Sequence, residues 1–178
     1  MVIRSVEQQS QTASTSQFDD RTITGEELFA MGEIGRIELV RGRIIQLMPT
    51  GHPHGYIEVL IAALLFNFVK LHKLGRVLGG EVGIYTRRSP DSVRAADAAF
   101  ISNERYTQVQ STSYLDVCPE LIVEILSPDD TWSHMHEKLA EYFSVEARLV
   151  WVIDPRLEQI HVYRSLDDVT RLSLTRQD

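Results

Sequence analysis

The chain has 178 residues, of which 43% are hydrophobic and 24% charged, and its formal net charge is −7. This length suits one domain with a full hydrophobic core. The acidic balance argues against a protein that coats nucleic acid through clustered Lys and Arg, although it is compatible with a nucleic-acid enzyme that has a local basic surface and a bound cation.

Cys118 is the single cysteine, which excludes an intramolecular disulfide and suits a reducing cytosol. We expect a cytoplasmic protein without a membrane partner, since no apolar run of spanning length and no N-terminal signal region stand out.

The N-terminal part divides into a polar tail and two short elements. Residues 1–20 are rich in Ser, Gln and Thr and predict a flexible tail, with one folded domain over 21–178. Thr22 or Thr24 can cap a short helix that follows. The stretch RIELVRGRIIQLMP predicts a hairpin that turns at Arg41 and Gly42, with Glu38 in its first arm.

A long apolar segment, HGYIEVLIAALLFNFVKLHKLG, is the strongest helix signal in the chain. Its apolar residues follow helical spacing, and Gly75 is a suitable stop. Because the segment is apolar over much of its circumference, we expect this helix to be largely buried.

The remaining elements alternate between strands and one helix. Three strands are predicted in RVLGGEVGIYTR, AADAAFIS and ELIVEILS, followed by a helix in SHMHEKLAEYFSVEA and a buried strand in RLVWVIDP. QIHVYRS and VTRLSL predict a closing edge hairpin. This order of elements indicates an α/β domain on a mixed sheet.

Glu124 is a carboxylate inside an otherwise apolar strand, and a buried carboxylate requires a positive partner. If the strands that carry Asp97 and Glu124 pair antiparallel about the 103–119 connection, Asp97 lies opposite Glu124. Two carboxylates at that spacing repel one another unless they share a proton or a cation, and Mg²⁺ takes oxygen ligands of this kind. A metal ion is therefore the predicted partner of Glu124, with an ion pair to an arginine as the alternative.

Lys138 is the next positive group along the chain. On the predicted helix it flanks the apolar stripe of Met135, Leu139 and Tyr142, so its stem can be buried while its ammonium reaches a strand end. There it could orient or deprotonate a water, or stabilise charge on a phosphate in the transition state. The alternative is a solvated lysine paired with Glu137 or Glu141.

Five segments in order resemble the Uma family of the PD-(D/E)XK, restriction-endonuclease-like superfamily. They are IELVRGRIIQLMPTGHPHG, RAADAAFIS, LIVEILSPDD, EKLAEYF and LVWVIDP, and the resemblance covers residues from about 22 to 165. It implies a restriction-endonuclease-like αβββαβ core on a mixed central sheet, to which the N-terminal hairpin and the C-terminal edge hairpin are added. It also implies Mg²⁺-dependent hydrolysis of DNA phosphodiesters, with Mn²⁺ as a substitute ion.

The same resemblance assigns roles to individual residues. Asp97 and Glu124 match the metal-binding acids, and Leu126 stands where a lysine is common, so Lys138 would take over that function. Glu38 matches an early glutamate of the family and His54 a histidine at the start of the long helix. Independently of the resemblance, Glu81 on the strand before Asp97 could supply a third carboxylate; the alternative is an exposed position on the face of its strand. Two departures from the family pattern are Ala96, in place of a proline, and Arg41, in place of an acidic residue.

Two other functions are compatible with the sequence. A catalytically inactive nuclease-like module that binds nucleic acid or protein would suit the acidic composition. A hydrolase of small phosphoesters would require a narrow pocket over the carboxylates. The edge hairpin at 159–174 offers a surface for a homodimer.

Overall fold

The computed structural model describes residues 21–173, so the predicted tail at 1–20 lies outside the described residues. The elements, in chain order, are α1 (Gly25–Ala30), β1 (Ile37–Val40), β2 (Arg43–Gln46), α2 (His52–His72), β3 (Gly75–Arg87), β4 (Ser92–Ser102), α3 (Asn103–Tyr106), β5 (Leu121–Ile125), α4 (Trp132–Ser144), β6 (Leu149–Asp154), β7 (Gln159–Tyr163) and β8 (Val169–Ser173). The short helix α3 falls in the connection that the sequence pattern leaves without an element.

The strands form one mixed sheet of eight strands. Its main path runs β2-β1-β4-β5-β6-β7-β8, and β3 also pairs with β4. The β5–β6 pair is parallel, whereas the β3–β4 and β4–β5 pairs are antiparallel. The run α2-β3-β4-β5-α4-β6 is the predicted αβββαβ core, with the β1–β2 and β7–β8 hairpins added at the two ends of the sheet. The predicted fold class is confirmed.

Two helices cover opposite faces of the central strands. Along β5, Ile122 contacts the cluster that includes Leu139 and Tyr142 of α4. The next residue, Val123, belongs to the cluster against which Ile57 and Ile61 of α2 pack. Because successive side chains of a strand point to opposite faces, the alternation along β5 places α4 and α2 on the two sides of the sheet.

Backbone conformation confirms the first hairpin and reveals a bulge. Arg41 (φ 51°) and Gly42 (φ 77°) both have positive φ, as a two-residue type I′ turn requires. In β3, Gly79 pairs with Ala98 and Val82 with Ala96, so both Gly80 and Glu81 lie opposite Asp97. Such a bulge redirects a side chain at a strand position, and here it brings Glu81 to the level of Asp97.

Helix α2 departs from its predicted environment. Only His54 and Val69 are buried in its 21 residues, so the expectation of a largely buried helix is wrong. The helix is apolar over much of its circumference, but the sheet covers only the side that carries Ile57, Ile61 and Leu65. By length and composition it is also apolar enough to cross a membrane, which contradicts the expectation that no apolar run reaches that length.

Candidate active site

The β4–β5 register brings the two predicted metal-binding acids together. Ala98 pairs with Val123, so one step further along each strand Asp97 stands opposite Glu124, as predicted. The regular pairing stops at Ala98 and Val123. Oδ2 of Asp97 instead accepts a hydrogen bond from the backbone N–H of Ile125 at 2.6 Å. The Asp97 carboxylate is thereby held at the point where the two strands separate.

Glu124 has two partners on α4. Lys138 Nζ lies 2.7 Å from its Oε2, and the Tyr142 hydroxyl donates to its Oε1 at 2.6 Å. Glu124 is 5% exposed. Burial raises the pKa of its carboxyl to about 7, while Lys138 opposes that rise. The positive partner of Glu124 in this structure is therefore Lys138, rather than an arginine.

Lys138 is enclosed by acceptors, and the prediction that its ammonium reaches the strand ends is confirmed. Besides Glu124, its Nζ contacts Glu38 Oε1 at 3.1 Å and the carbonyl oxygen of Ala95 at 3.2 Å. Burial alone would lower the pKa of Lys138, but the two carboxylates outweigh it and raise that pKa. Lys138 is thus held as a permanent cation between β1, β4 and β5.

Glu38 joins Lys138 to a second buried ion pair. Arg94 Nη1 donates to Glu38 Oε2 at 2.8 Å, and Ala95 N donates to Glu38 Oε1 at 3.2 Å. The other side of the same guanidinium binds Glu141 of α4 through Nε at 2.8 Å and Nη2 at 2.6 Å. Burial raises the pKa of Glu38, but Lys138 and Arg94 together lower it below its usual value. This network fixes the hairpin, β4 and α4 around the Lys138 ammonium.

His54 connects the start of α2 to the same strand ends. Its Nε2 lies 3.0 Å from the carbonyl oxygen of Ile125 and 3.4 Å from Oδ2 of Asp97. Because a carbonyl oxygen only accepts, Nε2 is the nitrogen that carries the proton. The other ring nitrogen, Nδ1, is buried and has no hydrogen-bond partner among the described residues. The hydrogen bond with Asp97 is the largest cause of a raised His54 pKa.

Glu58 is a site residue that the sequence reasoning missed. It offers a ligand atom that lies, with those of His54 and Asp97, in a group whose members are all within 4.8 Å of one another. Its Oε1 also accepts a hydrogen bond from Gly80 N in the β3 bulge, at 3.2 Å. The signal in the sequence was its position four residues after His54, because residues at that spacing share one face of a helix.

All six predicted site residues line one cleft of about 970 Å³: Glu38, His54, Glu81, Asp97, Glu124 and Lys138. Glu81 is half-buried and paired with Arg36. Burial is the largest cause of its raised pKa, and the charge of Asp97 adds to it. Seven carboxylates and four Lys or Arg side chains line the cleft, so it is net acidic. A polyanion can approach such a cleft only if cations offset this charge.

Comparisons with known proteins agree with this geometry. A family model described as "Uma2: Putative restriction endonuclease" matches residues 25–177. The crystal structure of a putative nuclease belonging to DUF820 from Anabaena variabilis ATCC 29413 superimposes with a TM-score of 0.69 at 22% identity, over 85% of each chain. No curated protein matches this chain. Since the family model spans nearly all of the folded part, the resemblance that the sequence motifs indicated is confirmed, and the chain belongs to the Uma2 family.

Proposed function

We propose that this protein is a divalent-metal-dependent endonuclease that hydrolyses phosphodiester bonds of DNA. The observation that carries the proposal is the convergence of the six predicted residues on a single cleft, at the point where β4 and β5 separate: four carboxylates, one histidine and one buried lysine. Membership of a family described as restriction endonucleases supports the reaction class and the DNA substrate.

The residues present fit a divalent cation. Asp97 and Glu58 supply carboxylate oxygens, which suit Mg²⁺ and Mn²⁺. The ring nitrogen of His54 near Asp97 is Nε2, so His54 could join these ligands only with its proton moved to the unpartnered Nδ1. Glu124, which stands opposite Asp97 and is held by Lys138 and Tyr142, would be a further carboxylate toward the same ion. When bound, the ion would act as a Lewis acid toward the scissile phosphate and offset the net negative charge of the cleft.

The chain's own groups have separate tasks in this proposal. Lys138, kept protonated by Glu124 and Glu38, would stabilise the negative charge that builds on the phosphoryl oxygens. Since its pKa is raised, Lys138 is a poor general base. Glu81 is the better proton acceptor for an attacking water, because burial raises its pKa above that of an ordinary glutamate.

Glu38 is a positioning residue in this scheme. It contacts Lys138 and Arg94, and through Arg94 it is linked to Glu141 on α4. Its removal would release the ammonium from one side without removing any direct contact with the phosphate.

The decisive experiment is cleavage of supercoiled plasmid in Mg²⁺ or Mn²⁺, compared with the same reaction in EDTA, together with calorimetric titration of each ion. We expect nicking and linear product only with metal, and a loss of both cleavage and ion binding in Asp97→Asn. Glu124→Gln should lose cleavage by at least about 100-fold, the scale of a lost transition-state contact. The control is Asp167→Asn, an exposed carboxylate in the β7–β8 connection, which should leave cleavage unchanged.

Two results would contradict the proposal. Cleavage that persists in Asp97→Asn and Glu124→Gln would assign the activity to a contaminant or another site. Metal binding that depends on Asp97, without turnover of DNA, would instead support an inactive nuclease-like binding module, which the pairing of Glu124 with Lys138 and Tyr142 also permits.

A further inference from the structure

The outward side of α2 is an exposed apolar surface that the proposed function does not use. Six large apolar side chains on it keep between 43% and 76% of their surface exposed: Tyr56, Val59, Leu60, Leu64, Phe66 and Leu71. Together with the small exposed Ala63, they form what we call the α2 face. With on the order of 150–200 Å² for each large side chain, the face presents roughly 550–750 Å² of apolar surface.

This area lies at or above the upper end of the range for an ordinary monomer and approaches one side of a stable interface. The largest apolar patch on a typical monomeric protein is roughly 300–600 Å². Specific interfaces bury about 800 Å² on each partner. The area of the α2 face is therefore close to what a specific protein partner would bury. Apart from the exposed Asn67 and Lys70, its composition is apolar, as in a homodimer interface.

We propose that the α2 face is the interface through which two copies of this chain form a two-fold dimer. Tyr56, Leu60, Ala63 and Asn67 recur at the alternating four- and three-residue spacing with which one helix packs along another. A two-fold axis across α2 makes the two helices antiparallel. Ala63 then lies near the axis, where its small side chain lets the helices approach, and Tyr56 of one copy lies beside Lys70 of the other.

The anchoring of α2 disfavours a membrane as the occupant of this face. His54 at the start of the helix is held by Ile125 and Asp97, and Ile57, Ile61 and Leu65 pack against the sheet. A spanning arrangement would strip these contacts. Adsorption to an anionic bilayer would be opposed by the net charge of −7. Residues 1–20, rich in Ser, Gln and Thr, offer few apolar side chains to cover the same face.

The test is the mass of the full chain in solution by light scattering and sedimentation, for the natural sequence and two matched variants. The natural chain should have twice the mass of one copy. Leu64→Glu places a carboxylate from each copy in the apolar interface, so we expect the dissociation constant to rise at least 100-fold. Leu64 is 59% exposed, so the fold should be kept, which circular dichroism checks. Leu172→Glu on the outer strand β8, where the leucine is 52% exposed, should leave the dimer intact.

Cross-linking tests the position of the axis. Ala63→Cys should form an intermolecular disulfide under mild oxidation. Leu157→Cys, at an exposed position in the turn between β6 and β7, should not. A monomeric natural chain would overturn the proposal, as would a dimer that Leu172→Glu dissociates and Leu64→Glu does not. Flotation of the natural chain with phosphatidylserine vesicles, or dimerisation only after removal of residues 1–20, would assign the face to a bilayer or to the tail and would also overturn it.

Discussion

Replacement of Lys138 by methionine tests how the buried charges of the site are balanced. The ammonium lies 2.7 Å from Glu124 and 3.1 Å from Glu38. Methionine keeps the apolar stem but removes the charge. Glu38 would retain Arg94 and the Ala95 N–H, whereas Glu124 would retain only the Tyr142 hydroxyl.

The expected loss of stability follows from the fate of Glu124. Removing one member of a buried ion pair costs about 3–5 kcal/mol when the other charge is left unpaired. Glu124 can avoid part of this cost by taking up a proton, since burial already raises its pKa to about 7. We therefore expect Lys138→Met to lower the free energy of unfolding by roughly 2–4 kcal/mol near pH 8.

The loss should depend on pH in a defined direction. Without Lys138 the pKa of Glu124 in the folded protein rises further above its unfolded value of 4.5. A raised carboxyl pKa stabilises the folded state below the unfolded pKa, and this stabilisation is lost as the pH rises through the folded pKa. The variant should thus be closest to the natural protein near pH 5 and weakest above pH 7, by about 1.4 kcal/mol for each unit of further shift.

Urea unfolding at several pH values, followed by tryptophan fluorescence, measures both quantities. In the Glu124→Gln background, Lys138→Met should cost much less, because the neutral amide needs no counter-charge. Arg164→Met, which removes an exposed cation 3.8 Å from Asp168, should cost less than about 1 kcal/mol. An equal loss at pH 5 and pH 8, or an undiminished loss in the Glu124→Gln background, would refute the charge-balance reasoning.

Three further predictions concern Glu58, Glu141 and Cys118. Glu58→Gln should weaken Mn²⁺ binding by at least about 10-fold in calorimetry while leaving the unfolding midpoint nearly unchanged, and an unchanged affinity would remove Glu58 from the site. Glu141→Gln should lower stability at pH 7 by roughly 1–3 kcal/mol through the lost pair with Arg94. Because Arg94 and Thr86 outweigh burial and lower the Glu141 pKa, the natural protein should lose stability as the pH falls below 4.5, and acid titration of the variant should be flatter in that range. Burial raises the pKa of Cys118 to about 12, so a thiol reagent at about pH 8 should label it only on unfolding; rapid labelling of the native protein would contradict this burial.

The local pattern of the chain determined the order of elements and the strand register. Alternating apolar residues marked the strands, Arg41 and Gly42 marked a turn that needs positive φ, and the connection at 103–119 placed Asp97 opposite Glu124. These features depend on neighbouring residues in the chain and on the two-residue period of a strand, and both can be read directly from the amino-acid sequence.

Tertiary packing decided what each side chain meets. The spacing of apolar residues identified α2 but not which of its side chains are exposed. A helix that is apolar over much of its circumference has no continuous polar face to mark its solvent side. It also could not show that Tyr142 and Lys138 of α4 close over Glu124, or that Glu58 reaches the level of Asp97. Those contacts join residues far apart in the chain, and only the docking of both helices onto the sheet sets their distances.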